Sequence, residues 1–82
     1  MKWTRIIWDH LPGANVEHIE EHDLTTQDID HVLENFQSQA YSASTGCPCI
    51  FGYIPDGRYV IVIFEQYDDI VYPKTAYEVL EP

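Results

Sequence analysis

Hydrophobic and polar positions alternate from Trp3 to Trp8, setting Trp3, Arg5 and Ile7 on one side and Thr4, Ile6 and Trp8 on the other. That period of two predicts a first strand. His10-Leu11-Pro12-Gly13 ends it, because proline and glycine interrupt regular structure. Asn15 then stands as the N-cap of a short helix running through His22, with Val16 and Ile19 as its inward positions. The period next lengthens to that of a full helix. Ile29, Val32, Leu33 and Phe36 fall at i, i+3, i+4 and i+7 and make one apolar stripe. Thr25-x-x-Asp28 ahead of the stripe forms a capping box with Asp in place of Glu, and Leu24 and Ile29 occupy the staple positions.

Beyond this helix the period returns to two. Gln37 to Ser44 is small and polar and predicts a weak, exposed strand, and Cys49 to Ile54 predicts a further one. Pro55-Asp56-Gly57 combines fixed φ, a turn-tolerant side chain and a residue free to take positive φ, the chemistry of a tight hairpin with a bulge. Arg58 to Glu65 carries Tyr59, Ile61 and Ile63 on one face and Val60, Val62 and Phe64 on the other. A strand apolar on both faces is expected at the centre of a sheet, covered on both sides. Asp68-Asp69 turns the chain into a last strand, Ile70 to Val79, where Pro73 requires an edge position or a bulge. The element order is β-α-α-β-β-β-β. The expectation is an α+β fold in one domain, residues 1–82, with two N-terminal helices on an antiparallel sheet of four to five strands.

The composition changes this picture in one respect. A chain of 82 residues that is 45% hydrophobic can bury one core. Its formal charge of −10 comes from 14 acids against Lys2, Arg5, Arg58 and Lys74. Both helices together carry Glu17, Glu20, Glu21, Asp23, Asp28, Asp30 and Glu34, with no Lys or Arg. The basic residues lie in or beside predicted strands. Such a field repels phosphate backbones, so RNA is disfavoured as a general ligand; the charge suits a basic protein partner or simply keeps the domain soluble, the commoner role of such a charge. No apolar run approaches the length of a bilayer span, and the N-terminus lacks the pattern of a signal peptide. A cytoplasmic protein without a membrane partner is expected.

Candidate chemistry is sparse. His18-Ile19-Glu20-Glu21-His22 has the H-x-x-E-H form and the i, i+4 spacing that lets two imidazoles share a metal, but no third ligand is signalled. No metal site or cofactor is therefore expected. Cys47 and Cys49 flank Pro48, a spacing poor for a disulfide and suited to two small buried hydrophobes. All four histidines (His10, His18, His22 and His31) fall in the acidic first half and read as surface or capping residues, with His22 at the inter-helix joint set apart. Arg58, opening the central strand, can grip a phosphate or carboxylate bidentately, or pair with Asp56 or Glu65. The six tyrosines are read as cross-strand packing residues.

Several segments in order resemble a bacterial family. They are the strand ending Trp8-Asp9, Val16-Glu17-His18-Ile19-Glu20-Glu21-His22-Asp23-Leu24-Thr25, Gly46-Cys47-Pro48 leading to Phe51-Gly52, Asp56-Gly57-Arg58-Tyr59-Val60-Ile61-Val62-Ile63-Phe64, and Thr75-Ala76-Tyr77-Glu78-Val79. Together they resemble the BrnT-type toxins of toxin–antitoxin pairs, which have the RelE-like ribonuclease fold. The resemblance implies that fold, an antitoxin-like partner and metal-independent cleavage of RNA. It places His22 at the family's junction histidine and Arg58 at its strand-opening arginine. His22 or Tyr77 would then move protons, Arg58 would hold the phosphate, and Lys74 would add to substrate binding. Cys47 and Tyr77 stand where the family has arginines, and Asp23 where it has a junction glycine. Two missing arginines remove charge stabilisation that such a reaction depends on.

Overall fold

Seven elements follow from these patterns in a computed structural model that describes residues 4–82. They are β1 (Arg5–Ile6), α1 (Asn15–Glu21), α2 (Thr26–Asn35), β2 (Ser38–Tyr41), β3 (Pro48–Tyr53), β4 (Tyr59–Tyr67) and β5 (Ile70–Glu78). The fold is α+β, with two helices and a five-stranded sheet in the order β1-β5-β4-β3-β2. The sheet is mixed, which corrects the expectation of an antiparallel one. β1 runs parallel to β5, pairing Arg5 with Ile70 and Ile6 with Val71, while the other three pairings are antiparallel. The two helices carry the chain from β1 at one edge to β2 at the other, the kind of long crossover that hairpin turns cannot supply.

The first strand is shorter than its alternation suggests. Trp3 lies outside the described residues, and among the described ones Arg5 and Ile6 enter the ladder. Trp8 instead packs against the core, and its indole donates to the Asp30 carboxylate of α2. Burial pushes the Asp30 carboxyl up, an effect that this bond and the charge of Glu34 modify in opposite directions.

Asn15 is the second correction. The N-cap of α1 is Ala14, with no side-chain cap, and Asn15 is the first helical residue, buried at 1% exposure. Its Oδ1 accepts from the Asp9 amide at 2.8 Å and its Nδ2 donates to the Ile7 carbonyl at 2.9 Å. The carboxamide thus satisfies backbone groups where the chain leaves the sheet, a stronger demand than capping in the buried position it occupies. At α2 the capping box is complete: Thr25 Oγ1 accepts from the Asp28 amide at 3.2 Å, and Asp28 accepts from the Thr25 amide at 3.0 Å. Ile29, Val32 and Leu33 are buried, and Phe36, the C-cap residue, packs against them from the rim.

One sheet face meets both helices. Ile50, Ile54, Val60, Val62, Phe64, Val71 and Ala76 join Ile19, Leu24, Ile29, Val32 and Leu33 in a single core. β4 is the central strand, as its two apolar faces require. The opposite face carries no helix, contrary to the expectation of cover on both sides. There Tyr59 packs between Tyr53, at 4.8 Å between ring centroids, and Phe51, at 6.1 Å, so the aromatic side chains shield one another. Ile63 faces Thr75 and Phe64 faces Pro73, which leaves Lys74 as the extra residue of a bulge in β5. The bulge accommodates Pro73, which lacks an N–H.

Candidate functional site at the helix junction

Two turns bring the candidate residues together. The first closes α1. The Leu24 amide donates to the Ile19 carbonyl at 3.1 Å and the Asp23 amide to the Glu20 carbonyl at 3.0 Å, the paired bonds of a Schellman motif. His22 is its C-cap, Asp23 takes φ 62°, and the buried Leu24 and Ile19 hold the motif to the core. An aspartate tolerates this left-handed position better than most side chains.

The second turn joins β3 to β4. The Gly57 amide donates to the Ile54 carbonyl at 2.9 Å, the Ile54 amide to the Arg58 carbonyl at 3.0 Å, and Gly57 takes φ 97°. Asp56 at its tip accepts from the Arg58 amide at 3.0 Å and from Arg58 Nε at 3.2 and 2.9 Å. Arg58 Nη2 then crosses to the helix junction and donates to the Asp23 carbonyl at 3.0 Å, with the Asp23 carboxylate 4.0 Å from Nη1. The backbone bond from Arg58 and then its guanidinium hold the Asp56 carboxyl below its ordinary range, against the opposing effect of burial. Burial works against the charge on Arg58, but Asp56, Asp23 and Glu78 outweigh it and raise the guanidinium further. Arg58 therefore has carboxylate neighbours on several sides.

Next to this clasp, the rings of His22 and Tyr77 lie with centroids 5.7 Å apart and planes tilted by 47°. Tyr77 pairs with Ile61 of β4, at the end of β5 that β1 does not flank. Three of the sequence-derived site residues, Arg58, His22 and Tyr77, thus meet at one corner. Lys74 does not join them. Its Nζ lies 4.0 Å from Glu65 Oε2 and 3.8 Å from Cys47 Sγ, because the bulge directs it toward the start of β3. Glu65 is thus a partner of Lys74, and Asp56 is the partner of Arg58.

Among the described residues, no three His, Cys, Asp or Glu side chains are placed to share a metal ion. His18 Nδ1 faces Glu21 at 3.9 Å, while His22 turns to Tyr77, so the H-x-x-E-H pair is divided between neighbours. All four histidines are exposed. Cys49 is buried, and burial pushes its thiol up, whereas Cys47 is only half-buried, which corrects its reading as a core hydrophobe. No described helix is long and apolar enough to cross a membrane.

A groove lies elsewhere. It has a volume of about 300 Å³, is lined by Gln39, Ala40, Tyr41, Pro48, Cys49, Phe64 and Gln66, and shares none of these with the corner. Its only advance signal was the small, polar character of the β2 segment. No family model, curated protein or solved structure gives a significant match to the chain.

Proposed function

We propose that this chain is a BrnT-like toxin-fold domain whose RNA-cleaving chemistry is silent, and that it acts by presenting its acidic helical layer to a basic, antitoxin-like protein. The observation that carries this reading is the engagement of Arg58. Its Nε is held by Asp56 and its Nη2 by the Asp23 carbonyl. A phosphate binding there would have to displace those groups within a domain of charge −10. On the helices, Glu17, Glu20, Glu21, Asp23 and Glu34 are exposed without a lysine or arginine among them. That surface attracts a basic partner and speeds its approach.

A fluorescent lysine decapeptide tests the acidic layer. Replacing Glu17, Glu20, Glu21 and Glu34 by glutamine should weaken its binding several-fold, and added salt should weaken wild-type binding. A control of equal charge change replaces Glu65 and Glu81 by glutamine and Asp68 and Asp69 by asparagine, and should bind nearly as wild type. Equal losses in both variants would reduce the effect to net charge and sink the proposed docking layer.

A second reading is favoured by one observation, the meeting of Arg58, His22 and Tyr77 at one corner. In it the domain cuts RNA without metal, Arg58 gripping the phosphate while His22 and Tyr77 exchange protons with the attacking and leaving oxygens. RNA cleavage separates the two readings.

A further inference from the structure

The two edges of the sheet are built differently. On the β5 side, β1 covers Ile70 and Val71, and the uncovered remainder contains Pro73 and the Lys74 bulge. Proline, lysine and bulges are the devices that keep an edge from pairing with another chain. The β2 edge has none of them. Its sequence is Ser38-Gln39-Ala40-Tyr41, every residue is exposed, and Tyr41 is 77% accessible. It also lies within the longest neutral stretch of the chain, for residues 35–55 contain no Asp, Glu, Lys, Arg or His.

We propose that two copies of this chain join through β2, in antiparallel register about a twofold axis, making one continuous sheet. The ladder phase selects the register. The Ser42 amide donates to the Cys47 carbonyl at 2.8 Å, so Ser42, Ala40 and Ser38 direct their backbone groups toward β3. The N–H and C=O groups of Gln39 and Tyr41 therefore point away from the sheet. A twofold axis perpendicular to the sheet keeps both helical layers on one side and must pass through a residue pair. With the two Ala40 residues on the axis, Gln39 of each copy faces Tyr41 of the other. Both outward-pointing residues of each strand then exchange both of their backbone bonds.

The same register brings each Tyr41 beside the groove of about 300 Å³ that Gln39 and Tyr41 line, so the interface gains apolar contact as well as hydrogen bonds. Charge identifies the second copy as the occupant. Two molecules of charge −10 repel each other through their acidic helices, and a neutral edge lets them approach with the least penalty. Salt should therefore strengthen this self-association by screening the remaining repulsion, the opposite of its effect on a basic ligand at the helices.

Sedimentation equilibrium on the full chain tests the proposal. The expected species has twice the 9.5 kDa mass of the chain and is favoured by concentration and by salt. Gln39→Pro removes an outward N–H, and Tyr41→Lys places a charge on the edge without altering the backbone. Each should weaken the dimer by about tenfold or more, with circular dichroism unchanged. Ala40→Cys in a Cys47→Ser, Cys49→Ala background, which removes the thiol opposite position 40 in the same chain, should form an interchain disulfide on mild oxidation, and Ser44→Cys in that background should not. A monomer at every concentration and salt level would overturn the proposal. So would a dimer that both folded edge variants leave intact.

Discussion

The guanidinium of Arg58 donates to the main-chain carbonyl of Asp23 at 3.0 Å, fastening the β3–β4 turn to the end of the first helix across 35 positions of sequence. The bond joins two tight turns. Asp56 sets the angle of the guanidinium from the other side. Arg58 is thereby a fastener of the fold.

Asp56→Asn should lower stability at neutral pH and flatten its acid dependence. The folded-state carboxyl is depressed, so its stabilising contribution is fully present above the ordinary carboxylate range. That contribution is lost as pH falls through the lowered folded value. Urea unfolding over a pH series should show a gap between wild type and variant at pH 7 that narrows as pH falls through and below the ordinary carboxylate range. Arg58→Ala should reproduce the loss at pH 7.

Asp23→Gly should stabilise the protein by about 1 kcal/mol, because glycine takes a left-handed φ without the strain of a side chain. The carboxylate lost in the exchange is fully exposed and 4.0 Å from Arg58, a contact worth little in water. Asp23→Ala should destabilise instead. Thermal unfolding of the two variants against wild type checks both signs.

Asn15→Ala should cost about 2–3 kcal/mol by leaving the Asp9 amide and the Ile7 carbonyl without their partner. Hydrogen exchange gives a local readout. The Asp9 amide should lose protection in the variant by more than amides of the β3–β4 ladder.

Asn15 also marks the limit of what the pattern of residues could tell. An asparagine after Pro-Gly and before an apolar helix has the signature of a cap, and nothing in that signature says the position will be buried. The complete capping box at Thr25 and the hairpin at Pro55-Asp56-Gly57 were legible because each is a local event with its own chemistry. The parallel pairing of β1 with β5 was not. It depends on which edge the crossover returns to, a choice made by packing over 60 and more residues of separation. At the site, Arg58, His22 and Tyr77 were legible as candidates. The placement of Lys74 beside Cys47 was not, since one extra residue in a bulge redirects the side chain.

Gly52→Ala should destabilise by about 1–3 kcal/mol. A Cβ there would stand 3.3 Å from Phe36 Cα and 3.3 Å from Val32 Cγ1, and the Phe36 backbone at the end of α2 cannot easily yield. The denaturation midpoint should fall while the steepness of the transition is kept.

Incubation of the purified chain with a labelled RNA in EDTA-containing buffer tests most directly whether Arg58 is a fastener or a phosphate grip. Intact RNA with the wild-type protein is the expected result, alongside lowered stability in Arg58→Ala. Cleavage by the wild type that is lost in folded Arg58→Ala, His22→Ala and Tyr77→Phe variants would contradict it.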